Sequence, residues 1–495
     1  MNILLASSEA LPYSKTGGLA DMVGALAKFL ARAGHQVCLI TPLYRGLTSQ
    51  FPDIQPFDWD LNLALGPDWV RGRVWTRTAD DRLTTYFIEQ PQFFERSGFY
   101  QERGMDYADN AERFIFFCKA VVNLARYLPW RPDVVHVHDW QAALAPVFML
   151  EQKLHGGWTA PPPTCLSIHN MAYQGNFPPA KYPLTNLPGS FFQPDGVEFY
   201  GRMNCLKGGI TYADLLTTVS PRYAREITTE LYGCGLDGVL RRRQDALFGI
   251  LNGVDYDEWQ TVKNPFLKHS YSAADLRGKA ADKAALQQEM GLRPAPDVPL
   301  FGTVSRLADQ KGVDIELTAL QEMLAAGLQF VFLGSGERDY ERAWRSLAER
   351  HPGQCAVKIG FDTGLSHRVE AGCDFYVMPS RFEPCGLNQM YSLRYGTVPI
   401  VRVTGGLDDS VVDIAENLEQ ADGIKFAEYS VRALAKAIRK ALVLYDDKEL
   451  LAHYRKNGMA KDFSWERTAA AYVQLYSKIS AAGLAQLQSL KQGKL

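Results

Sequence analysis

Residues 374–409 read DFYVMPSRFEPCGLNQMYSLRYGTVPIVRVTGGLDD, and this stretch constrains the fold more than any other. Phe375-Tyr376-Val377-Met378 is a short apolar run of the kind that forms a strand buried on both faces. A turn from Pro379 to Pro384 follows, and Leu387, Met390 and Leu393 then recur at helical spacing until Gly396 stops the helix. Val398-Pro399-Ile400-Val401 is a second buried strand, and it runs into Thr404-Gly405-Gly406-Leu407 and another helix start. Strand, turn, helix, strand, Gly-Gly turn and helix make a parallel α/β unit. Both turns lie at carboxyl ends of strands, where open α/β sheets bind ligands. A carboxylate there, beside the N–H groups of a helix start, suits a polar ligand that carries phosphate.

With 495 residues the chain is too long for one ordinary core, so two domains are expected. A hydrophobic fraction of 46% and a charged fraction of 22% are those of a globular protein. The formal net charge of -2 supplies no basic field to attract nucleic acid or membrane. None of the eight cysteines forms a Cys-x-x-Cys pair, and several sit in apolar runs. That pattern points to buried free thiols in a reducing compartment and away from structural zinc. The N-terminal Met1-Asn2-Ile3-Leu4 lacks the basic start of a signal peptide, and no run is long enough to span a bilayer. A cytoplasmic location is expected.

Read in order, Ile3–Ala6, Val37–Thr41, Val134–Val137, Cys165–Ile168 and Leu215–Val219 are strands. Leu19–Ala33, Tyr107–Leu128 and Gln141–His155 are helices between them. Phe51–Arg103 reads as irregular, with a hairpin and loops inserted at the domain mouth. This rhythm describes a doubly wound, Rossmann-like domain over residues 1–245. Residues 246–262 are the expected crossing, and Lys263–Lys283 is polar and expected to wrap the surface. A second domain of the same kind, 263–463, has strands Leu300–Val304, Phe330–Leu333, Val357–Gly360, Phe375–Met378 and Val398–Val401. Its helices include Asp314–Ala326, Asp339–Arg350 and Ser430–Tyr445. Residues 464–495 hold a last helix, Glu466–Ala481, and a polar tail from Gln486 that is expected to fray.

Several residues sit where chemistry is done. Lys15-Thr16-Gly17-Gly18 lacks the Walker spacing but offers a cation, bare backbone N–H groups and a helix start, which suit a diphosphate. Arg306 and Lys311 lie in one loop after a strand, the first able to clamp a phosphate bidentately, the second a point charge. His138-Asp139 and His169-Asn170 end neighbouring strands and are expected to point the same way. His136, His138 and Asp139 together make a poor metal set. Asp58-Trp59-Asp60 and Asp255-Tyr256-Asp257 read as surface, and Cys385 as a small turn residue with no histidine near it in sequence to activate it. KTGGLAD at 15–21 is echoed by VTGGLDD at 403–409, one in each half, as though two Gly-rich turns faced a shared cleft.

Taken together, SKTGGLADMVGALAKFL, VVHVHDWQAALAP, SIHNMAYQG, ILNGVDYDEW, SRLADQKGVD, EPCGL and DFSWE resemble the bacterial glycogen synthase and plant starch synthase family of retaining glucosyltransferases. The pieces run in family order over nearly the whole chain. The resemblance implies two Rossmann-like domains facing a deep interdomain cleft (the GT-B type), with the last helix returning to the first domain. It implies transfer of glucose from ADP-glucose to the non-reducing end of an α-1,4-glucan such as glycogen or a maltooligosaccharide primer, with retention, no cofactor and no essential metal. On this sequence it implies that Lys15, Gly17, Gly18 and Asp21 serve the donor's sugar-phosphate and that Arg306 and Lys311 neutralise the leaving diphosphate. Glu383 would bind the donor glucose beside Cys385, Gly386 and Leu387. His169 and Asn170 would border the transferred glucose, Asp139 the acceptor, and Phe361 would stack on the base.

Two departures stand out. Other retaining transferases carry a second Glu eight residues after the first, where this chain has Tyr391. Many bacterial synthases have Thr after EPCGL, where this chain has Asn388. Three rival readings are the same chemistry with UDP-glucose, an inactive glucan-binding protein, and a phosphorylase. The second requires loss of Lys15, Arg306, Lys311 or Glu383, all of which are present; the third needs a pyridoxal phosphate lysine, for which there is no motif.

Overall fold

In the computed structural model, which describes residues 1–480, the chain divides into two compact units. The first comprises Met1–Val219, Ala224–Ile250 and the described residues from Trp465 onward; the second comprises Ser220–Tyr223 and Leu251–Ser464.

The first unit is built on nine strands. In sheet order they begin at residues 247, 215, 164, 134, 2, 36, 83, 68 and 55. Pairing is parallel from Leu247–Gly249 across to Leu83–Glu89, with Leu4 opposite both Cys38 and Val135. The chain enters at the centre on Asn2–Ala6, winds outward through Gln36–Pro42 and Leu83–Glu89, then crosses to Val134–His138 on the other side. The order therefore reverses between Asn2–Ala6 and Val134–His138, and the loops after these two strands flank a topological switch point. The helix Gly18–Arg32 buries Ala20, Val23, Leu26, Ala27 and Leu30, one stripe at helical spacing. It packs on the helix Trp465–Ile479, where Phe29 and Trp465 stack with centroids 6.4 Å apart. Tyr476 of that last helix bonds His136 Nδ1 at 2.7 Å beneath the central sheet.

The second unit has six parallel strands, beginning in sheet order at 355, 329, 300, 375, 398 and 424. Numbered along the chain this is 3-2-1-4-5-6, the Rossmann winding, and its switch point lies between Leu300–Val304 and Phe375–Met378. Phe301, Phe330, Phe332, Phe375 and Val377 fill one face with Trp344, which stacks on Phe332 at 4.4 Å. Asp374 is held at the root of its strand by Lys283 Nζ at 2.7 Å and Arg455 Nη2 at 2.6 Å, with the Leu300 N–H at 3.0 Å. Three donors offset the cost of burying that carboxylate, and they pin the two switch-point strands together.

The structure departs from the sequence expectations in identifiable ways. The hairpin expected within 51–103 is Gln55–Leu65 with Asp68–Asp80, but it is longer and more regular than the segment reads, and it extends the main sheet instead of standing as an insertion at the domain mouth. Its outer face is solvated, so the apolar run that marks a buried strand is missing. The polar segment ending at 283 does not merely wrap the surface, because Arg277–Glu289 is a helix. It buries Lys279 and Lys283 whole, their ammonium groups satisfied by internal acceptors: Lys279 Nζ donates to the Ala371 carbonyl at 2.7 Å and Lys283 Nζ to the Val298 carbonyl at 2.7 Å. The helix expected over 141–155 begins earlier and is interrupted at Ala143, giving Asp139–Ala142 and Leu144–Leu154. Leu247–Gly249 pairs with Leu216–Thr218, so the first sheet continues past residue 245. Ala481 and the tail from Gln486 lie outside the described residues. Among those residues no helix is long and apolar enough to cross a membrane.

Candidate active site

At the switch point of the second unit, the loop after Leu300–Val304 brings Lys311 to the loop after Phe375–Met378, which carries Glu383. Lys311 Nζ lies 2.5 Å from Glu383 Oε2, and Ser380 Oγ donates to the same oxygen at 3.1 Å. The Glu383 side chain is 7% exposed and that of Lys311 19%. The two loops are stitched by backbone contacts: Arg381 N–H donates to the Gln310 carbonyl at 2.8 Å. At Gly312, where φ is +74°, a Cβ would lie 2.2 Å from the Pro379 carbonyl oxygen. Only glycine tolerates both that φ and that approach. Arg306 stands exposed in the same loop and makes no side-chain hydrogen bond or ion pair among the described residues. The site thus holds one cation committed to a carboxylate and one that faces solvent.

The turn Thr404–Gly406 supports Glu383 from behind. Gly406 N–H reaches the Glu383 carbonyl at 3.2 Å, and a Cβ on Gly405, whose φ is +43°, would sit 1.9 Å from that oxygen. Gly405→Ala is therefore expected to displace the Glu383 backbone. The expected result is destabilisation of about 1–3 kcal/mol in a denaturant titration, with a fall in turnover larger than stability alone explains.

At the switch point of the first unit, the loop after Asn2–Ala6 carries Glu9 and the Lys15–Gly18 turn. Glu9 is buried and accepts from the Thr16 N–H, from Thr16 Oγ1 at 2.7 Å and from Tyr100 Oη at 2.6 Å. Lys15 Nζ lies 2.6 Å from Asp21 Oδ1, with both side chains accessible. No atom would meet a Cβ on Gly17 or Gly18 within 4 Å. The two TGG turns are therefore not equivalent: the one at 16–18 is open, and the one at 404–406 is closed on the Glu383 loop.

Across the switch point, Asp139 follows Val134–His138 with φ +55°, in the left-handed region that costs a non-glycine residue roughly 1–2 kcal/mol. Its Oδ1 accepts the His169 N–H at 2.7 Å, so the ends of two neighbouring strands are tied together. His138 Nδ1 lies 3.2 Å from His169 Nε2. Asn170 turns inward on its own backbone, its Oδ1 accepting from Ala172 N–H at 3.0 Å. Burial, aided by the charge of Glu9, raises the Asp139 carboxyl to about 7, against the N–H bonds from His169 and Asn170. Burial lowers His169 to about 3, so its ring is neutral at physiological pH. Among the described residues no group of three or more His, Cys, Asp or Glu side chains could hold a metal ion.

Residues 2–242 match the family model "Starch synthase catalytic domain", and residues 289–461 match "Glycosyl transferases group 1". A glycogen synthase of Anaeromyxobacter sp. (strain Fw109-5) is 47% identical over 484 residues, covering 97% of this chain and 100% of the relative. The chain belongs to the starch and glycogen synthase family of glycosyltransferases. Another family member, the glycogen synthase of Koribacter versatilis (strain Ellin345), is 45% identical over 97% of this chain and 98% of its own. Among solved structures, the catalytic domain of starch synthase IV from Arabidopsis thaliana, bound to ADP and acarbose, superposes with a TM-score of 0.86. It is 33% identical and is covered to 98%, with 96% of this chain aligned. A sucrose-phosphate synthase from Thermosynechococcus elongatus, 17% identical with a TM-score of 0.61, shares the fold.

Within this family member the two departures have structural roles. Tyr391 stacks face to face on Trp259 with centroids 3.6 Å apart, and Trp259 stacks on His367 at 4.0 Å. Position 391 therefore serves packing. Asn388 Nδ2 donates to the Val304 carbonyl at 2.8 Å and to Tyr376 Oη at 2.5 Å, tethering the start of its helix to the strand that precedes Arg306. Phe361 is 89% exposed beside Gly360, at the carboxyl end of Cys355–Ile359. Cys385 is buried, and burial pushes its thiol up to about 12, so it presents no thiolate. Glu9, Tyr100 and Ser380 are not singled out by the sequence, the one available signal being that Glu9 lies in the loop after the apolar strand ending at Ala6; His138 is marked there only as a strand end and a poor metal ligand.

The Asp139 shift carries a stability prediction. A carboxyl whose folded pKa is raised favours the folded state below its unfolded pKa and loses that contribution as pH rises through the folded pKa. Asp139→Asn keeps the Oδ1 acceptor for His169. Its Tm relative to the parent chain is expected to rise as pH goes from about 4 to about 7 and to stay level above. A difference that is flat across that interval in paired thermal melts overturns the shift.

Proposed function

We propose that this chain is a glycogen synthase that transfers glucose from ADP-glucose to the non-reducing end of an α-1,4-glucan, with retention and release of ADP. The observation that carries the reading is the Lys311–Glu383 pair at the switch point of a 3-2-1-4-5-6 sheet, with Arg306 free in the same loop. Cleaving the glycosyl–phosphate bond puts negative charge on the diphosphate and positive charge on the sugar ring. Arg306 and Lys311 stabilise the first, each contributing about 3 kcal/mol. Glu383 binds the glucose hydroxyls and orients Lys311. Lys15 and the open Gly17–Gly18 N–H groups bind the sugar-phosphate, with Asp21 holding Lys15. His169 and Asn170 border the transferred glucose, and Asp139 the acceptor. Cys385, Gly386 and Leu387 line the glucose pocket, and Phe361 stacks on the base. With no side chain assigned as nucleophile, retention follows a front-face route in which the leaving phosphate takes the acceptor's proton.

The ADP and acarbose bound by starch synthase IV support an adenine nucleotide donor. Free cysteines, seven of them buried, fit a cytoplasmic enzyme. The test is the initial rate with ADP-glucose and with UDP-glucose, using glycogen as primer. A large excess of the first is expected; equal rates, or incorporation only from UDP-glucose, overturn the donor assignment.

A further inference from the structure

His138 is completely buried, and its Nε2 has no hydrogen-bond partner among the described residues. Its Nδ1 faces His169 Nε2 at 3.2 Å. A neutral imidazole carries one proton, so one ring must donate to the other. If His169 Nε2–H donated, the His138 proton would sit on Nε2, a buried N–H with no acceptor. If His138 Nδ1–H donates, the orphan is only a lone pair. Orphaned buried N–H groups are the rarer and costlier case. The other titratable neighbours leave this choice intact. His136 spends Nδ1 on Tyr476 and Nε2 on Ser167, both at 2.7 Å, and Asp139 accepts the backbone N–H of His169, not its ring.

We infer that His138 is a positioning residue that fixes the tautomer of His169, so that the partly exposed His169 ring presents a neutral Nδ1–H donor on its open side. Among the described residues no group bonds that nitrogen. The functional half of this inference rests on the reading that His169 borders the transferred glucose. There the arrangement has a definite chemical sense. A neutral N–H can hold a sugar oxygen without placing a full positive charge beside a ring that becomes cationic in the transition state. The lowered pKa of His169 agrees with a neutral ring.

The experiment uses the full chain labelled with ¹⁵N-histidine, with the His169 signals assigned by their loss in His169→Ala. The expected spectrum shows a protonated Nδ1 and a bare Nε2 on His169 across neutral pH; a protonated Nε2 overturns the inference without any variant. In steady-state assays, His138→Leu removes the donor and is expected to lower kcat about tenfold, while the His169 signals report mixed tautomers. His138→Asn places an amide N–H near the lost Nδ1–H and is expected to recover most of that rate and the single tautomer. Equal losses in both variants, or an unchanged His169 spectrum in His138→Leu, overturn the positioning role. Should His138→Leu fail to fold, the parent spectrum and His138→Asn still decide. A parental rate in His169→Ala, with the Nδ1–H signature present in the unsubstituted chain, would remove His169 from the sugar and so overturn the functional half alone.

Discussion

Glu383→Ala is expected to lower kcat by about 10²–10³-fold with the fold intact. Two losses combine. The carboxylate proposed to bind the glucose hydroxyls is gone, and Lys311, whose side chain is 19% exposed, keeps its charge without its partner 2.5 Å away. A half-buried ammonium left alone either shifts its pKa down or swings toward water, and both remove it from the place where a diphosphate would meet it. Glu383→Gln separates the effects, because the amide keeps the shape and one acceptor but not the charge. It is expected to sit between the parent and Glu383→Ala in kcat, with the larger change in KM for the donor. Lys311→Ala is the reciprocal test and is expected to lose about as much. A parental rate in Glu383→Ala would remove this residue from the site, and a parental rate in Lys311→Ala would remove Lys311 from the stabilisation of the leaving group and leave that role to Arg306.

The residues that carried the sequence reading were those whose environment leaves a one-dimensional trace. Strands buried on both faces leave apolar runs, continuous in Phe375–Met378 and, in Val134–His138, broken by His136 and ended by His138, and the turns after them hold Glu383 and Asp139. Parallel pairing follows from alternation of strand and helix, so loops at the carboxyl ends of strands were legible as candidates, whereas the switch points depend on strand order and came from the structure. What stayed hidden depends on contacts between distant positions. The helix Arg277–Glu289 buries Lys279, Asp282, Lys283 and Gln287 on its inner face, the two lysines bonded to internal acceptors, and so shows no apolar stripe. Tyr391 departs from a pattern that expects Glu, yet its ring fills a stack with Trp259, more than 130 residues away in the chain. The TGG echo pointed to equivalence, but one turn is open and the other is pressed against Glu383, a distinction made by neighbours and not by the tripeptide. Glu9 looked like any loop carboxylate because two of its three bonds go to Thr16 and the third to Tyr100, across 91 residues.

Lys15→Ala is expected to lower kcat/KM for the donor by about 10²-fold or more, and Glu9→Gln to reproduce much of that loss without touching the cation. Lys15 is tied to Asp21, but the path of its loop is set by Glu9, which holds both the N–H and the hydroxyl of Thr16, the next residue. An amide at position 9 keeps one oxygen for the two hydroxyls and presents N–H to the single donor, the Thr16 N–H, that the other oxygen accepted. The Thr16 backbone is then left without its partner, at a cost of about 1–3 kcal/mol, and the loop is released from its seat at the strand end. If Glu9 acts only by placing Lys15, the two changes share one mechanism and cannot add. The double variant should then be no slower than Lys15→Ala. Losses that multiply would mean that Glu9 serves the reaction by a second route, with the charge it projects on Asp139 the first place to look. In that case the acid limb of the rate profile would move down in Glu9→Gln, since removing a neighbouring negative charge makes Asp139 easier to ionise.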